Sequence, residues 1–525
     1  MEWISVIVLS ILASLAASTT YLSFVFHTPP QTVNLGVTHY WEDYMYYLSQ
    51  FTQGARGAWL NHAMFTEEGV APTLLHYPNI LLGKIGGIIH LNPMDSYNIS
   101  IIVLSCIFLI FTYYCLKKLF PKPIYAFPAF LFFLFSASFM NRLPDGALYR
   151  FYPYQLWNTP HYMFDRIGTL PHYLVINILI LLSLVFLFTR HTKIWITILT
   201  VCVFCMVTIL QPVAITLIIG TYWLTSVVWK DNKDWKKVGF LTVGYLFGTL
   251  YLTFLYFTNH YVNSMASEAQ WQVRTIFPFL MKSIGPILPF AVLGIVFRWK
   301  KTTSIERFGM ILIPGAYLTF LLPVSGHFGI SNARLLFSAQ YLFWGWFAAV
   351  GLFELAERLK HVVRYKKNTI IGLLFFVFFI SVAPTIVWEL QQKIPPATTY
   401  TDPLYFLPKS ISNAFTYLST QKPLSSLVLA NPSSRMDMLV PVLGGHRTIT
   451  GPQYATQNLP EKKAEVIKFF ALEMEENETR RWLQSHHINF VLFTVYDGDR
   501  NAFQRTYPFL VPLFSSKTAT VYGIN

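Results

Sequence analysis

Two acidic pairs are the residues of this chain best suited to chemistry. Glu42 and Asp43 lie in the stretch T-H-Y-W-E-D-Y-M-Y-Y, and Glu67 and Glu68 lie in F-T-E-E-G further on. A carboxylate within hydrogen-bond reach of a hydroxyl group can take its proton as a general base. Asp43 falls in the first turn of a predicted helix, where the helix dipole favours a negative charge. Asp43 is therefore the predicted catalytic base with Glu42 as the alternative, and helix capping is the simpler role for Asp43.

A second set of residues could balance negative charge on a substrate. This set consists of Arg150, His161, Arg166, His172 and Arg334. Positive charge stabilises a departing phosphate, so we predict that these residues contact one. The alternative is that they only reach toward lipid headgroups. Glu67 and Glu68 are predicted to contact either a divalent cation or the molecule that accepts a transferred group. Carboxylate oxygens suit such an ion.

Composition places these residues in a membrane protein. The chain has 525 residues, of which 54% are hydrophobic and only 12% are charged, whereas soluble proteins have about 25% charged residues. Apolar runs of about 18 to 25 residues are typical of transmembrane helices. The net charge of +14 could indicate nucleic-acid binding. We exclude that class because the basic residues cluster in short connections between apolar runs, where membrane topology explains them.

The apolar runs predict about eleven transmembrane helices. Their approximate ranges are 3–26, 98–116, 124–140, 171–189, 194–210, 212–229, 238–258, 278–297, 308–323, 335–353 and 369–388. Residues 1–26 could pass for a signal peptide, but no basic residue precedes the apolar run, so we predict an uncleaved first helix.

Basic residues follow every second predicted helix. They are Lys117, Lys118, Lys122, Arg190, Lys193, Lys230, Lys233, Lys236, Lys237, Arg298, Lys300, Lys301, Arg307, Arg358, Lys360, Arg364, Lys366 and Lys367. Such connections are cytoplasmic in membrane proteins. The N-terminus is therefore predicted inside, and the first loop, 27–97, and the C-terminus outside. His260, Arg274 and His327 lie in further connections predicted to face outward.

The regions outside the membrane have their own predicted structure. From Trp41 the first loop predicts an amphipathic helix lying at the membrane interface with its aromatic rings at headgroup level. The segment 79–91 predicts a second interfacial helix, whose glycines would allow close packing on a neighbour. We divide the chain into a transmembrane bundle, 1–398, and a small extracytoplasmic α/β domain, 399–525. Its predicted strands are 427–430, 489–495 and 518–523, and its predicted helices are 461–472 and 476–486.

The stretch W-E-D-Y-M-Y-Y-L-S-Q-F-T-Q-G at 41–54, followed by the short helix at 79–91, resembles the GT-C superfamily of membrane glycosyltransferases. The resemblance is strongest over the first two helices and the first loop, and it points to the poorly characterised bacterial members. It implies a polyprenyl-phosphate-linked sugar as donor and an acidic residue of the first outer loop as catalytic base, which is Asp43 here. The chain lacks the W-W-D-x-G motif of oligosaccharyltransferases, since 482–484 is Trp-Leu-Gln, so transfer to a peptide sequon is not expected.

The resulting hypothesis is an inverting glycosyltransferase in the cytoplasmic membrane, with a glycan, lipid or protein as acceptor. No cofactor is required by this chemistry, and a divalent cation is compatible with it. Two other classes remain open, a transporter or flippase for a lipid-linked glycan and a non-enzymatic membrane scaffold. The near absence of ionisable residues within the predicted helices argues against a transporter, since ion-coupled transport usually places charges there.

Overall fold

The computed structural model describes residues 2–145, 148–156, 159–189, 193–229, 235–259, 270–363, 365–423 and 426–524. Of the basic residues that support the predicted topology, Arg190, Lys230, Lys233 and Arg364 lie outside the described residues, as does His260.

Most of the described chain is helical. The helices of its first half are α1 (Glu2–Ala17), α2 (Thr19–Phe26), α3 (Trp41–Ala55), α4 (Tyr77–Ile88), α5 (Pro93–Leu119), α6 (Ala126–Phe135), α7 (Met163–Ile167), α8 (Pro171–Phe188), α9 (Ile194–Leu210), α10 (Pro212–Trp229) and α11 (Trp235–Thr258). The helices of its second half are α12 (Phe277–Ile284), α13 (Ile287–Arg298), α14 (Ser304–Leu321), α15 (Tyr341–Val363), α16 (Lys367–Gln392), α17 (Lys409–Thr420), α18 (Met436–Leu439), α19 (Leu459–Phe470), α20 (Glu476–Ser485) and α21 (Arg500–Thr506).

Six helices among the described residues are long and apolar enough to cross a membrane, or eight if each of two bent pairs forms one span. This indicates a multi-pass membrane protein, but the predicted number of eleven spans is not confirmed. The apolar helix 123–135 and α9 are shorter than these six. The carboxylate of Glu306, in the first turn of α14, accepts a hydrogen bond from the Thr303 amide and forms an ion pair with Arg298.

Two predicted straight spans are bent. Helices α1 and α2 meet at 65°, and α12 and α13 meet at 92°. The second bend has a clear local cause, because Gly285 has a φ of +80°, a backbone conformation that side chains with a Cβ rarely adopt. A Cβ on Gly285 would also lie 1.9 Å from the carbonyl oxygen of Ala137. The sequence pattern of apolar residues does not predict either bend.

The chain forms two compact units. The first, here called the helical unit, is built mainly from Ile101–Leu255 and Ala266–Ile394. The second, here called the mixed unit, is built mainly from Thr20–Ser100 and Pro395–Asn525. The first loop and the C-terminal residues are thus parts of one unit.

Helices α3 and α4 pack closely in the mixed unit, as the glycines of the second helix predicted. A Cβ on Gly83 would lie 2.2 Å from the Phe51 carbonyl oxygen, and one on Gly54 would lie 2.0 Å from that of Ile80. The predicted placement of the α3 aromatic rings at headgroup level is wrong, because Tyr44 and Phe51 are fully buried, whereas the interfacial position of the helix itself stays a prediction. Its aromatic residues fill the core of the mixed unit instead of facing headgroups.

Three β-sheets accompany the helices among the described residues. Two of them are antiparallel pairs, β1 (Thr32–Asn34) with β4 (Phe406–Pro408), and β2 (Met140–Asp145) with β3 (Leu148–Pro153). The third has the strand order β5-β6-β8-β7 and consists of β5 (Leu427–Leu429), β6 (Ile488–Thr494), β7 (Leu510–Ser515) and β8 (Ala519–Ile524).

The C-terminal sheet agrees with the three predicted strands, and β7 was not predicted. Strands β5 and β6 are parallel, whereas β8 is antiparallel to both β6 and β7. Aromatic side chains of α19 and of α21 with the residue that follows it cover the sheet, and the Phe469 and Tyr507 rings are stacked 5.0 Å apart. The sheet and the first loop together position the residues described next.

Candidate active site

The Asp43 carboxylate lies in the first turn of α3 and is half-buried. Its Oδ1 accepts a hydrogen bond of 2.7 Å from the phenol of Tyr454, which lies 411 positions further along the chain. The N-cap residue of α3 is Tyr40, and its side chain makes no capping bond. Two distant parts of the chain, α3 and the segment 451–458, therefore hold this carboxylate.

Aromatic rings pack around the bond between Asp43 and Tyr454. The Tyr454 ring packs edge-to-face on Tyr46 with centroids 5.2 Å apart, and Tyr46 packs similarly on Tyr47 at 5.5 Å. Burial, followed by the nearby Tyr47 and Asp43, raises the pKa of Tyr454 well above its usual value. The Tyr454 phenol is therefore protonated at physiological pH and donates to the Asp43 carboxylate.

Glu42, the alternative base, is half-buried beside the same helix turn. Burial is the largest cause that raises the pKa of the Tyr40 phenol, and Glu42 and Asp43 add to it. Both carboxylates are thus close to the exposed ring of Tyr40. The acidic pair lies where the helix begins, so either carboxylate has the helix dipole in its favour.

A third carboxylate, Asp437, was not predicted as a site residue. Its side chain is buried in α18, and its Oδ2 accepts a hydrogen bond of 2.8 Å from Thr450. Burial raises the pKa of Asp437 to about 6, and the charge of Glu42 acts in the same direction. Asp437 is therefore near enough to Glu42 for the charge of Glu42 to act on it.

Glu67 and Glu68 form ion pairs with C-terminal residues. Lys462 Nζ lies 3.1 Å from Glu67 Oε1 and 2.5 Å from Glu68 Oε1, and His486 Nδ1 lies 2.5 Å from Glu67 Oε2. Burial alone would raise the pKa of Glu67, but the hydrogen bond from His486 and the charge of Lys462 lower it overall. The acceptor or metal contact predicted for both residues stays a prediction, and their observed partners favour a role in holding the loop.

The backbone beside these glutamates is also bound by the C-terminal residues. The Arg447 guanidinium donates to the Thr66 carbonyl oxygen at 2.9 and 3.1 Å and to that of Glu68 at 3.0 Å. The Thr448 amide donates to the Met64 carbonyl oxygen at 2.9 Å. The part of the first loop that follows α3 is therefore fixed against the C-terminal part of the mixed unit.

Arg166, one of the predicted phosphate ligands, is fully buried in the helical unit. Its Nη1 donates to the Pro160 carbonyl oxygen at 2.9 Å, and its Nη2 donates to those of Leu134 and Ser136 at 3.1 and 2.6 Å. The guanidinium carbon also lies 4.2 Å from the centre of the Tyr341 ring. These contacts favour a structural role for Arg166, because backbone groups already occupy both terminal nitrogens.

His161 is buried near Arg166 and is held by hydroxyl groups. Its Nε2 is 3.0 Å from the Tyr317 hydroxyl, and its Nδ1 is 3.0 Å from Ser283 Oγ. Burial, assisted by the positive charge of Arg166, lowers the pKa of His161 to about 3. The imidazole is therefore neutral at physiological pH and does not supply the positive charge that the sequence suggested.

The other predicted basic residues lie elsewhere in the helical unit. Arg150 is exposed on β3 and forms an ion pair with Asp145 of β2. The Arg334 guanidinium lies 4.9 Å from the centre of the Tyr173 ring, and His172 packs on the same ring at 4.4 Å. The structure thus places His161 with Arg166 and His172 with Arg334, and the acidic candidates belong to the mixed unit.

An open cleft of about 410 Å³ lies in the helical unit. Its lining residues are Gln155, Leu156, Val273, Arg274, Thr275, Ile276 and Phe279. Arg274 is exposed, and the neighbouring Ile276 and Phe277 side chains are also largely exposed. The cleft therefore combines one positive charge with apolar surface.

No cluster of three or more His, Cys, Asp or Glu side chains suited to a metal occurs within the described ranges. The divalent cation predicted as compatible with the chemistry accordingly has no assigned ligands and stays a prediction.

The sequence analysis missed the C-terminal partners of the first loop. Tyr454 lies in the stretch G-P-Q-Y-A-T, which has no periodicity and no recognisable motif. Arg447 and Lys462 are basic residues that belong to no recognisable motif. Their contacts with the first loop join residues 379 to 411 positions apart, a separation at which local patterns carry no information about pairing.

Known structures with a similar fold include two of an archaeal oligosaccharyltransferase. The chain matches the oligosaccharyltransferase of Archaeoglobus fulgidus in its apo form with a TM-score of 0.56 and 11% identity, covering 94% of this chain and 69% of that chain. It matches AglB from the same organism, in complex with an inhibitory peptide and a dolichol-phosphate, with a TM-score of 0.54 and 12% identity, covering 100% and 74% of the two chains.

A bacterial enzyme has a similar fold as well. The arabinofuranosyltransferase AftD from Mycobacteria, in a mutant form, matches with a TM-score of 0.51 and 12% identity, covering 98% of this chain and 41% of that chain. No family model and no curated protein matches the chain. These neighbours are GT-C glycosyltransferases, so the resemblance predicted from the first loop is confirmed at the level of the fold.

Proposed function

We propose that this protein is a glycosyltransferase that moves a sugar from a polyprenyl-phosphate-linked donor to an acceptor hydroxyl group at the outer face of the cytoplasmic membrane. The observation that carries the proposal is the Asp43 carboxylate, half-buried at the start of α3 and bonded to Tyr454. A fold similar to those of an oligosaccharyltransferase and an arabinofuranosyltransferase supports it.

Asp43 acts as the general base in this reaction. It takes the proton from the acceptor hydroxyl while the acceptor oxygen forms a bond to the anomeric carbon of the sugar. The bond between that carbon and the phosphate oxygen breaks at the same time, and the phosphate leaves with the electron pair. Attack from the face opposite the phosphate inverts the anomeric configuration. Glu42 remains the alternative base because it lies on the same helix turn.

The donor requires positive charge near its phosphate and apolar surface for its lipid chain. The cleft that contains Arg274 offers both, since the apolar residues Ile276 and Phe279 also line it. Arg150 is an exposed cation that could assist, whereas Arg166 donates mainly to backbone carbonyls. The complex of AglB with a dolichol-phosphate supports a lipid-linked donor for this fold.

A transfer assay in detergent tests the proposal. Radiolabelled polyprenyl-phosphate sugars would be incubated with a membrane acceptor fraction and either wild-type protein or the Asp43→Asn variant. We expect label to enter the acceptor with the wild type only, with a loss of roughly 10²- to 10⁴-fold in the variant, which is the usual contribution of general-base catalysis.

Glu42→Gln is the companion variant, since it neutralises the adjacent carboxylate of the same helix turn, and it should retain transfer if Asp43 is the base. Equal transfer by the wild type and Asp43→Asn would move the base to Glu42 or Glu67. No transfer by folded wild-type protein across a complete donor panel would contradict the enzyme proposal. Substrate-dependent flux in proteoliposomes without a new sugar linkage would then support a flippase.

A further inference from the structure

The phenol of Tyr454 reaches the proposed base from the far end of the sequence. Its hydroxyl donates to Asp43 Oδ1 at 2.7 Å, a length typical of a strong bond between a hydroxyl group and a charged acceptor. The acceptor atom is one of the two carboxylate oxygens, so the bond restricts rotation of the Asp43 side chain. A fixed carboxylate presents its other oxygen in a defined direction.

The segment that carries Tyr454 is itself fixed to the first loop. Thr456 Oγ1 donates to the Phe65 carbonyl oxygen at 2.8 Å, and the Ala455 amide donates to the Pro452 carbonyl oxygen at 2.9 Å. Gly451 lies against the Phe65 ring, where an added Cβ would come within 2.4 Å of a ring carbon. Tyr454 is therefore not a mobile surface residue that meets Asp43 by chance.

We propose that Tyr454 is a positioning residue for the glycosyl transfer, holding the Asp43 carboxylate in the orientation in which it takes the acceptor proton. This inference rests on the proposed function of Asp43 as the base. It gives the C-terminal part of the mixed unit a role in the reaction, although that part supplies no group that receives the acceptor proton.

The proton balance of the step is simple. The acceptor proton moves to Asp43, and the Tyr454 proton stays on the phenol. Its buried environment raises the pKa of Tyr454 well above the usual value, so the phenol remains a donor throughout. Because it stabilises the charged carboxylate, the Tyr454 hydrogen bond lowers the basicity of Asp43 while improving its orientation.

The Tyr454→Phe variant removes only the hydroxyl group. We expect kcat to fall about ten- to hundredfold with little change in KM, since a misoriented group slows the reaction without altering substrate binding. The acidic limb of the pH–rate profile should move to higher pH, because the carboxylate loses a donor that stabilised its charged form. Tyr417→Phe is the matched control, as its ring stacks on Phe514 in the same unit, and it should leave both quantities unchanged.

A second measurement does not depend on activity. Carbodiimide couples an amine to protonated carboxyl groups, so the pH at which half of Asp43 is labelled, read from the peptide by mass spectrometry, reports its titration. We expect this midpoint to rise in Tyr454→Phe and not in Tyr417→Phe. An unchanged midpoint would overturn the proposal even if activity fell, because the loss would then be structural.

The two experiments together separate this inference from the proposed function. Unchanged kcat in Tyr454→Phe would overturn the positioning role, whatever the labelling midpoint. Loss of thermal stability with an unshifted pH profile would also overturn it and assign Tyr454 to the fold alone. No transfer by the wild type would overturn the proposed function and this inference together. A shifted labelling midpoint in Tyr454→Phe would in that case establish only that the hydrogen bond stabilises the charged Asp43.

Discussion

The two units of this protein surround their charged residues with different partners. In the mixed unit, Asp43 is half-buried and bonded to the side chain of Tyr454, and Glu67 is paired with other side chains. In the helical unit, Arg166 and His161 are fully enclosed, and the terminal nitrogens of Arg166 are occupied by backbone carbonyl oxygens.

The difference indicates where proton transfer can occur. A half-buried carboxylate that accepts a hydrogen bond from a neutral phenol can exchange a proton with an incoming hydroxyl group. A guanidinium bound to several backbone carbonyls must stay in place, because leaving them would strand buried polar groups. The residues of the mixed unit therefore suit chemistry, and the enclosed basic residues of the helical unit suit the stability of the connections that contain them.

The largest expected effect concerns Arg166. Arg166→Met would leave the buried carbonyl oxygens of Pro160, Leu134 and Ser136 without their donor. We expect a loss of about 3–5 kcal/mol of unfolding free energy, the range seen when one member of a buried charged contact is removed. Thermal unfolding in detergent would measure it, with Arg150→Met as the exposed control. If the variant unfolded like the wild type but bound the donor poorly, Arg166 would serve substrate binding and not stability, which would contradict the difference drawn between the units.

Asp437 is a buried carboxylate within the mixed unit, and it extends the comparison of how the two units surround their charged residues. Its pKa is raised to about 6 by burial, compared with about 3.9 in an unfolded chain. The charged form is thus penalised in the folded state, so the free energy of unfolding is highest below about pH 4, falls up to about pH 6 and is constant above it. Asp437→Asn should remove this slope and stabilise the protein by about 2–3 kcal/mol at pH 8.

Unfolding midpoints of the wild type and Asp437→Asn at pH 4, 6 and 8 would check this slope. Asn can still accept the hydrogen bond from Thr450 through its side-chain oxygen, so the substitution removes the charge and keeps this contact. The exposed Glu473 supplies a control, Glu473→Gln, that should leave the slope unchanged. A loss of stability in Asp437→Asn at pH 8 would show that the buried carboxylate is better compensated than its surroundings indicate.

The sequence predicted the local parts of the mixed unit better than their assembly. The glycines of 79–91 correctly predicted close packing, and the alternation at 518–523 predicted β8. Periodicity identifies the buried face of a helix without naming what covers it. For α3 the predicted contacts of the aromatic residues were therefore wrong. These residues face the protein core and not lipid headgroups.

The candidate site was predicted in part for the same reason. Asp43 could be selected because its helix and its residue type are visible in one short stretch. Tyr454 could not be selected, since the hydrogen bond joins residues 411 positions apart and depends on a loop without a pattern. Arg166 and His161 were identified as basic, but a single sequence does not reveal that burial makes one imidazole neutral and directs a guanidinium to the backbone.

The contribution of Glu67 to the free energy of unfolding depends on pH in the opposite direction from that of Asp437. The pKa of Glu67 is lowered in the folded state, so its contribution to stability is present above the unfolded pKa of about 4.3 and is lost as pH falls through the folded value. We expect Glu67→Gln to cost about 1–2 kcal/mol at pH 7, the size of hydrogen bonds to a partly buried charge. The cost should shrink below about pH 4.

A double-mutant cycle with Lys462→Met would isolate the ion pair between these two residues. Their coupling should be about 1 kcal/mol at pH 7 and weaker in acid, as followed by unfolding midpoints at each pH. Glu68→Gln is the matched control, since its carboxylate contacts the same lysine but is more exposed. Coupling that does not change with pH would mean that Lys462 and Glu67 interact mainly through packing.

The smallest effect is expected at Arg150, the exposed basic residue of the helical unit. Its ion pair with Asp145 lies in solvent on both sides, and such pairs contribute little to stability because water and salt screen them. Arg150→Gln should therefore unfold at the wild-type temperature and raise KM for the donor only about two- to fivefold, as expected for a peripheral charge that attracts a phosphate. Asp145→Asn is its control and should lower KM slightly, because it removes a competing anion. A hundredfold fall in kcat for Arg150→Gln would instead place this arginine at the reacting phosphate, and the helical unit would then share in the chemistry that the comparison assigns to the mixed unit.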